Sequence, residues 1–115
     1  MNIIIYARKK NFDTQKAERF FRERRIPYQF LDLSKHRMGQ KELLLFARKL
    51  GVLNLMDRKN PEALSHPAAH TDDTAYILET LLTHPHFLVS PIVRNGDEVT
   101  LGADEAAWNA WIRKG

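Results

Sequence analysis

Two apolar strands joined by one helix constrain this chain more than any other feature. Residues 2–7 form a run dominated by the β-branched Ile3, Ile4 and Ile5, the pattern of a strand covered on both faces. Asp13 and Thr14 are good N-cap residues for a helix running to about Arg24. Along it Ala17, Phe20, Phe21 and Arg24 follow the i, i+3, i+4, i+7 spacing of one packed face, while Glu18 and Arg22 pair four apart outside. Pro27 stops the helix, and Tyr28 to Leu33 reads as a second strand. A crossover helix of about three turns brings its two strands parallel, with right-handed connection.

The middle of the chain is helical. Gln40 to Leu50 carries Leu43, Leu44, Ala47 and Leu50 on one face, and Gly51 is placed to end it. Residues 52–73 read as a short apolar turn followed by a polar stretch containing Asn60-Pro61 and His66-Pro67, a mobile loop with a short helix. Thr74 to Thr83 is a further helix with Ile77, Leu78, Leu81 and Leu82 inward, closed by His84-Pro85. The period then changes to two. Pro91-Ile92-Val93-Arg94 and Glu98-Val99-Thr100-Leu101 flank Asn95-Gly96, a strong hairpin signal. Asp104 can cap a last helix bearing Ala107, Trp108, Trp111 and Ile112. These elements imply one α/β domain over residues 1–115. Its four-stranded sheet is mixed, with a parallel βαβ unit, a helical insertion at about 38–83 and a closing ββα unit.

Composition narrows the chemistry. The chain of 115 residues has no cysteine, which excludes disulfides, thiolate metal sites, a thiol nucleophile and dithiol redox chemistry of its own. No apolar run approaches the ~20 residues of a bilayer span, and the start lacks the basic head and long apolar stretch of a signal peptide. A cytoplasmic location, with no membrane role, is the expectation. The net charge of +4 is unevenly distributed. Residues 1–60 carry 15 Lys and Arg against 6 Asp and Glu, and residues 61–115 carry 3 against 8. The basic half could attract an acidic partner, although its charges are interleaved with carboxylates as on solvated helix faces.

The residues around the first helix go further. Asn11-Phe12-Asp13-Thr14-Gln15-Lys16-Ala17-Glu18-Arg19 resembles the ArsC/Spx family, whose arsenate-reductase-like subgroup has Cys-Phe-Asp-Thr-x-Lys-Ala-Glu-Arg there. His84-Pro85-His86-Phe87-Leu88-Val89-Ser90-Pro91-Ile92-Val93-Arg94-Asn95-Gly96 resembles the family's His-Pro-x-Leu-Leu-x-x-Pro-Ile-Val-x-x-Gly. Leu101-Gly102 before a Trp-bearing helix fits as well, so the resemblance covers essentially the whole chain.

The resemblance implies a thioredoxin-like fold and a cis peptide before Pro91. It also locates the site. In the reductases a cysteine between the first strand and helix attacks the arsenic oxyanion, and Asn11 stands in its place. An amide cannot serve as that nucleophile. Ser90 and Ala103 stand where the reductases carry arginines, and only Arg58 matches a third oxyanion-binding arginine. Lys10, Asn11 and Arg58 are therefore candidates for an anion-binding remnant, with Ser90 and Pro91 on the loop facing it. The adjacent Arg8 and Lys9 and the N–H groups of the helix start favour an anion, whereas Asp13 supplies negative charge from within.

The leading expectation is a protein-binding or regulatory module that is not an enzyme and needs no cofactor. Spx-type relatives bind RNA polymerase, which makes that one specific partner the resemblance implies. The alternative is an arsenate-reductase-like or glutathione-linked oxidoreductase that uses an external thiol, and so binds glutathione or an oxyanion. His66 and His70 are four apart and His84 and His86 flank Pro85, but no converging ligand set is legible and no metal is expected. Direct nucleic-acid binding is not expected either, because Phe20 and Phe21 read as core and not as stacking platforms. Trp108 and Trp111 likewise read as packing residues.

Overall fold

In the computed structural model, which describes residues 1–8 and 11–115, the elements follow the expected order. They are β1 (Ile3–Ala7), α1 (Phe12–Glu23), β2 (Tyr28–Asp32), α2 (Gln40–Leu50), α3 (Pro61–Leu64), α4 (Thr74–Thr83), β3 (Ile92–Asn95), β4 (Glu98–Leu101) and α5 (Glu105–Lys114). They gather into two compact units, one made of Met1–Asp32 with Ser90–Gly115 and the other of Leu33–Val89.

The first unit holds the sheet, in the order β2-β1-β3-β4. Strand β1 runs parallel to β2, with Ile3 opposite Tyr28, and antiparallel to β3, with Ile5 opposite Val93. Its central position explains its composition: Ile3, Ile5, Tyr6 and Ala7 are all buried. Ile3, Ile5, Ala7 and Val93 of the sheet meet Ala17, Phe20 and Phe21 of α1 and Trp108 and Trp111 of α5. The Trp108 ring lies 5.1 Å from Phe20 and 5.3 Å from Phe21, centroid to centroid, and each such buried aromatic contributes about 2–3 kcal/mol. Its indole N–H donates to Thr100 Oγ1 at 2.9 Å, so the one polar atom of this side chain is paired inside the core.

Two local details differ from expectation. The hairpin pairs Asn95 with Glu98, so its two-residue loop is Gly96-Asp97 and not Asn95-Gly96. Gly96 takes the first loop position at φ +61, where a side chain is disfavoured. Helix α1 also stops before Pro27 can act. The Ile26 N–H reaches back to Phe21 O at 2.9 Å and the Arg25 N–H to Arg22 O at 3.0 Å, with Arg25 itself at φ +57. This is a Schellman closure, and Ile26 completes it by packing on the core beside Phe21.

The second unit is helical. In residues 52–73 the expected apolar turn forms at 52–54, and the polar stretch expected as a mobile loop with one short helix forms two short turns with side-chain caps, α3 and 67–70. Asn60 Oδ1 accepts the Glu62 N–H and His66 Nδ1 accepts the Ala68 N–H, with Pro61 and Pro67 next in the chain. The prolines thus start turns, because a proline at the first helical position gives up no hydrogen bond. The helix faces also differ. Helix α2 buries Leu43, Leu45 and Phe46, and leaves Leu44 at 44 % exposure. Helix α4 buries Ile77, Thr80 and Leu81, while Leu78 and Leu82 stay half-exposed. Among the described residues no helix is long and apolar enough to cross a membrane.

Candidate functional site

Asn11 stands between β1 and α1, and it is the N-cap of α1. Its backbone is extended (φ −91, ψ 131), its carbonyl accepts the Gln15 N–H at 3.1 Å and its Oδ1 accepts the Thr14 N–H at 3.1 Å. The expected caps, Asp13 and Thr14, instead lie inside the first turn. Asn11 prevails because its extended backbone carries Oδ1 over the third N–H of the helix, and Asp13 then adds a favourable charge to the first turn.

The other end of the Asn11 amide crosses to the loop before β3. Nδ2 donates to Ser90 O at 3.3 Å and to Ser90 Oγ at 3.4 Å. The Ser90–Pro91 peptide is cis, as the resemblance implied, and Pro91 O accepts the Gly102 N–H at 2.8 Å. Asn11, Ser90 and Pro91 are therefore brought together within one unit, as a hydrogen-bonded junction between the helix start and the sheet. None of these three side chains carries a charge. The Asn11 amide fills, with its own oxygen, one of the N–H positions that an anion would use.

Two neighbours of Asn11 have surroundings that the sequence reading did not give. Phe12, the first helical residue, is 69 % exposed, with Lys16 Nζ 5.1 Å from its ring centroid. Its position off the Ala17–Phe20–Phe21 face was the available signal. Thr14 is 2 % exposed, and its Oγ1 has no hydrogen-bond partner among the described residues. Further along α1, Glu18 and Arg22 do not pair directly. Arg22 donates to the Tyr28 hydroxyl at 3.2 Å and that hydroxyl donates to Glu18 at 3.0 Å. The bond to Tyr28 raises the Arg22 pKa above its ordinary value. Arg24, expected on the packed face, is exposed but lays its guanidinium 3.7 Å from the Phe20 ring centroid.

Lys10, like Lys9, lies outside the described residues. Arg58 belongs to the second unit, where Nη1 donates to Leu53 O at 3.0 Å and Nε to Ala69 O at 3.3 Å. These bonds tie the turn at 52–54 to the turn at 67–70. Ala103 packs on the core of the first unit and offers no charge. The histidines are engaged locally: His66 as a cap, His84 stacked on Phe87 at 4.8 Å, and His86 within 3.4 Å of Glu62. Among the described residues no group of three or more His, Asp or Glu is arranged to hold a metal ion.

Solved structures share this architecture. The YffB protein superposes with a TM-score of 0.82 at 19% identity, covering 94% of this chain and 96% of its own. An arsenate reductase (ArsC) related protein from Brucella melitensis gives 0.69 at 22% identity, covering 98% and 96%. An arsenate reductase from Vibrio cholerae gives 0.72 at 20% identity, covering 89% and 90%. No protein-family model and no curated protein matches the sequence. At these identities the likeness concerns the fold: this chain has the thioredoxin-like α/β fold of arsenate-reductase-related proteins, without a cysteine.

Proposed function

We propose that this chain is an ArsC/Spx-like protein in which binding to another protein has replaced thiol chemistry. The observation that carries the reading is the state of Asn11. The residue at the nucleophile position has become the helix cap, and both ends of its amide are engaged, with Thr14 and with Ser90. A group so committed holds a surface together and transfers nothing. Beside it Phe12 offers an exposed aromatic ring under a cation, the kind of anchor that protein interfaces favour. A cytoplasmic partner follows from this reading, and RNA polymerase is the specific candidate suggested by the resemblance to Spx.

Capture of partners from a lysate of the source cells, quantified by mass spectrometry, tests the reading. A partner retained by the wild type and by Asn11→Ser, but lost with Phe12→Ser, supports it. No enrichment above a thioredoxin-fold control protein overturns it. The second reading, a reductase drawing its thiol from glutathione, is favoured by the fold likeness to the Vibrio cholerae arsenate reductase. It requires an oxyanion or glutathione to bind next to Asn11, and turnover with both would establish it.

A further inference from the structure

The second unit carries an apolar groove between α2 and α4. Leu43 and Leu44 form one wall, and Ala75, Leu78 and Leu82 the other, around a volume of about 300 Å³. Leu44 is 44 % exposed, although the helix periodicity assigns it to a packed face. The groove is thus an apolar helix-pair surface whose packing is unfinished within the unit.

The helices that bound it carry opposite net charge: α2 has Lys41, Arg48 and Lys49 against Glu42, and α4 has Glu79 with no base. From residue 33 to 60 the unit has seven Lys and Arg against two Asp and Glu. From 61 to 89 it has no Lys or Arg and four acids. On α2, Lys41 and Arg48 lie one helical turn either side of Leu44, and both are exposed. On α4, Glu79 lines the groove and is also exposed. None of the three forms an ion pair with another described residue.

An apolar centre between a basic rim and an acidic rim is complementary to itself. When two such faces meet about a twofold axis running along the groove, the basic helix of each copy covers the acidic helix of the other. An axis across the groove would oppose like charges and is disfavoured. We infer that this groove is an isologous dimer interface, occupied by the α2–α4 face of a second copy of this chain. The inference stands apart from the reading of Asn11, which lies in the other unit.

Sedimentation equilibrium of the full chain tests it. The expected result is a reversible monomer–dimer equilibrium that weakens roughly tenfold between low and high salt, because exposed charge pairs are screened. Leu44→Glu should weaken it by about tenfold or more. Glu79→Lys alone, and the double change Lys41→Glu with Arg48→Glu, should each weaken self-association. An equimolar mixture of those two variants should form a heterodimer by native mass spectrometry, since both rims are then complementary again. All substituted positions are exposed, and unchanged circular dichroism melts confirm that folding is intact. A chain that stays monomeric to about millimolar concentration overturns the inference. So does a dimer unmoved by these changes, or a variant mixture that does not pair; either would return the groove to some other occupant.

Discussion

Replacing Asn11 by alanine separates a structural role from a chemical one. The change removes the Oδ1 acceptor of the Thr14 N–H, and loss of an Asn N-cap costs about 1 kcal/mol. It also removes both Nδ2 contacts to Ser90, which at 3.3 and 3.4 Å are long and together add about 0.5 kcal/mol. Asn11→Ala should therefore destabilise the chain by about 1–2 kcal/mol, equivalent to roughly 4–8 °C in Tm. Asn11→Ser keeps a capping oxygen and should stay within about 0.5 kcal/mol of the wild type. Urea unfolding by linear extrapolation measures both, with an unchanged m-value as the check that only the native state has altered. Amide hydrogen exchange adds a local readout, since the Thr14 N–H should lose protection in the alanine variant and keep it in the serine variant. If alanine costs less than about 0.3 kcal/mol, or serine costs as much as alanine, Asn11 is not the cap that sets the start of this helix.

The next helical turn offers an opposite effect. Thr14→Val removes a buried hydroxyl without a hydrogen-bond partner among the described residues and keeps the side-chain shape, so it should stabilise by about 1 kcal/mol in the same unfolding assay. A loss of stability would show that the hydroxyl has a partner after all. Asn11→Cys places a thiol at the head of α1, where the helix N-terminus favours thiolate. Its pKa, followed by thiolate absorbance, should fall below ~8.5, and a normal or raised value would mean that this helix end no longer stabilises an anion.

How much of this was legible depends on how far each signal reaches along the chain. The strands, the parallel βαβ pair and the hairpin follow from β-branched Ile3–Ile5, the crossover helix and the Asn95-Gly96 region, because strand burial and turn chemistry are local properties, whereas the pairing of β3 with β1 is long-range and no local signal specifies it. The hairpin still slipped by one residue: a glycine needed at positive φ does not say whether its neighbour precedes or enters the loop. Asn11, Asp13 and Thr14 are all good caps, and only the backbone path chooses among them. For a different reason the buried faces of α2 and α4 were legible only in part, with Leu43, Ile77 and Leu81 inward as expected. A run such as Leu43-Leu44-Leu45-Phe46 supplies apolar residues in every direction, so periodicity alone cannot select the buried face. Tertiary packing buried Leu45 and Phe46 and left Leu44 outside. The stretch around the prolines at 61 and 67 reads as a mobile loop with a short helix, whereas Asn60 and His66 supply the cap hydrogen bonds of two turn starts there. The site itself was legible only through resemblance. Nothing in the composition marks Asn11, whereas the exposure of Phe12 is signalled by its place off the Ala17–Phe20–Phe21 face.

Whether binding has replaced chemistry is tested most directly by measuring arsenite formation from arsenate in the presence of glutathione, with NADPH and glutathione reductase to recycle the thiol. The wild-type chain should produce no arsenite above the enzyme-free rate, because the chain has no cysteine and the Asn11 amide that stands at the nucleophile position cannot attack arsenate. Sustained arsenite formation that depends on glutathione, saturates with arsenate and is abolished by Asn11→Ala at a temperature where that variant is folded would contradict it.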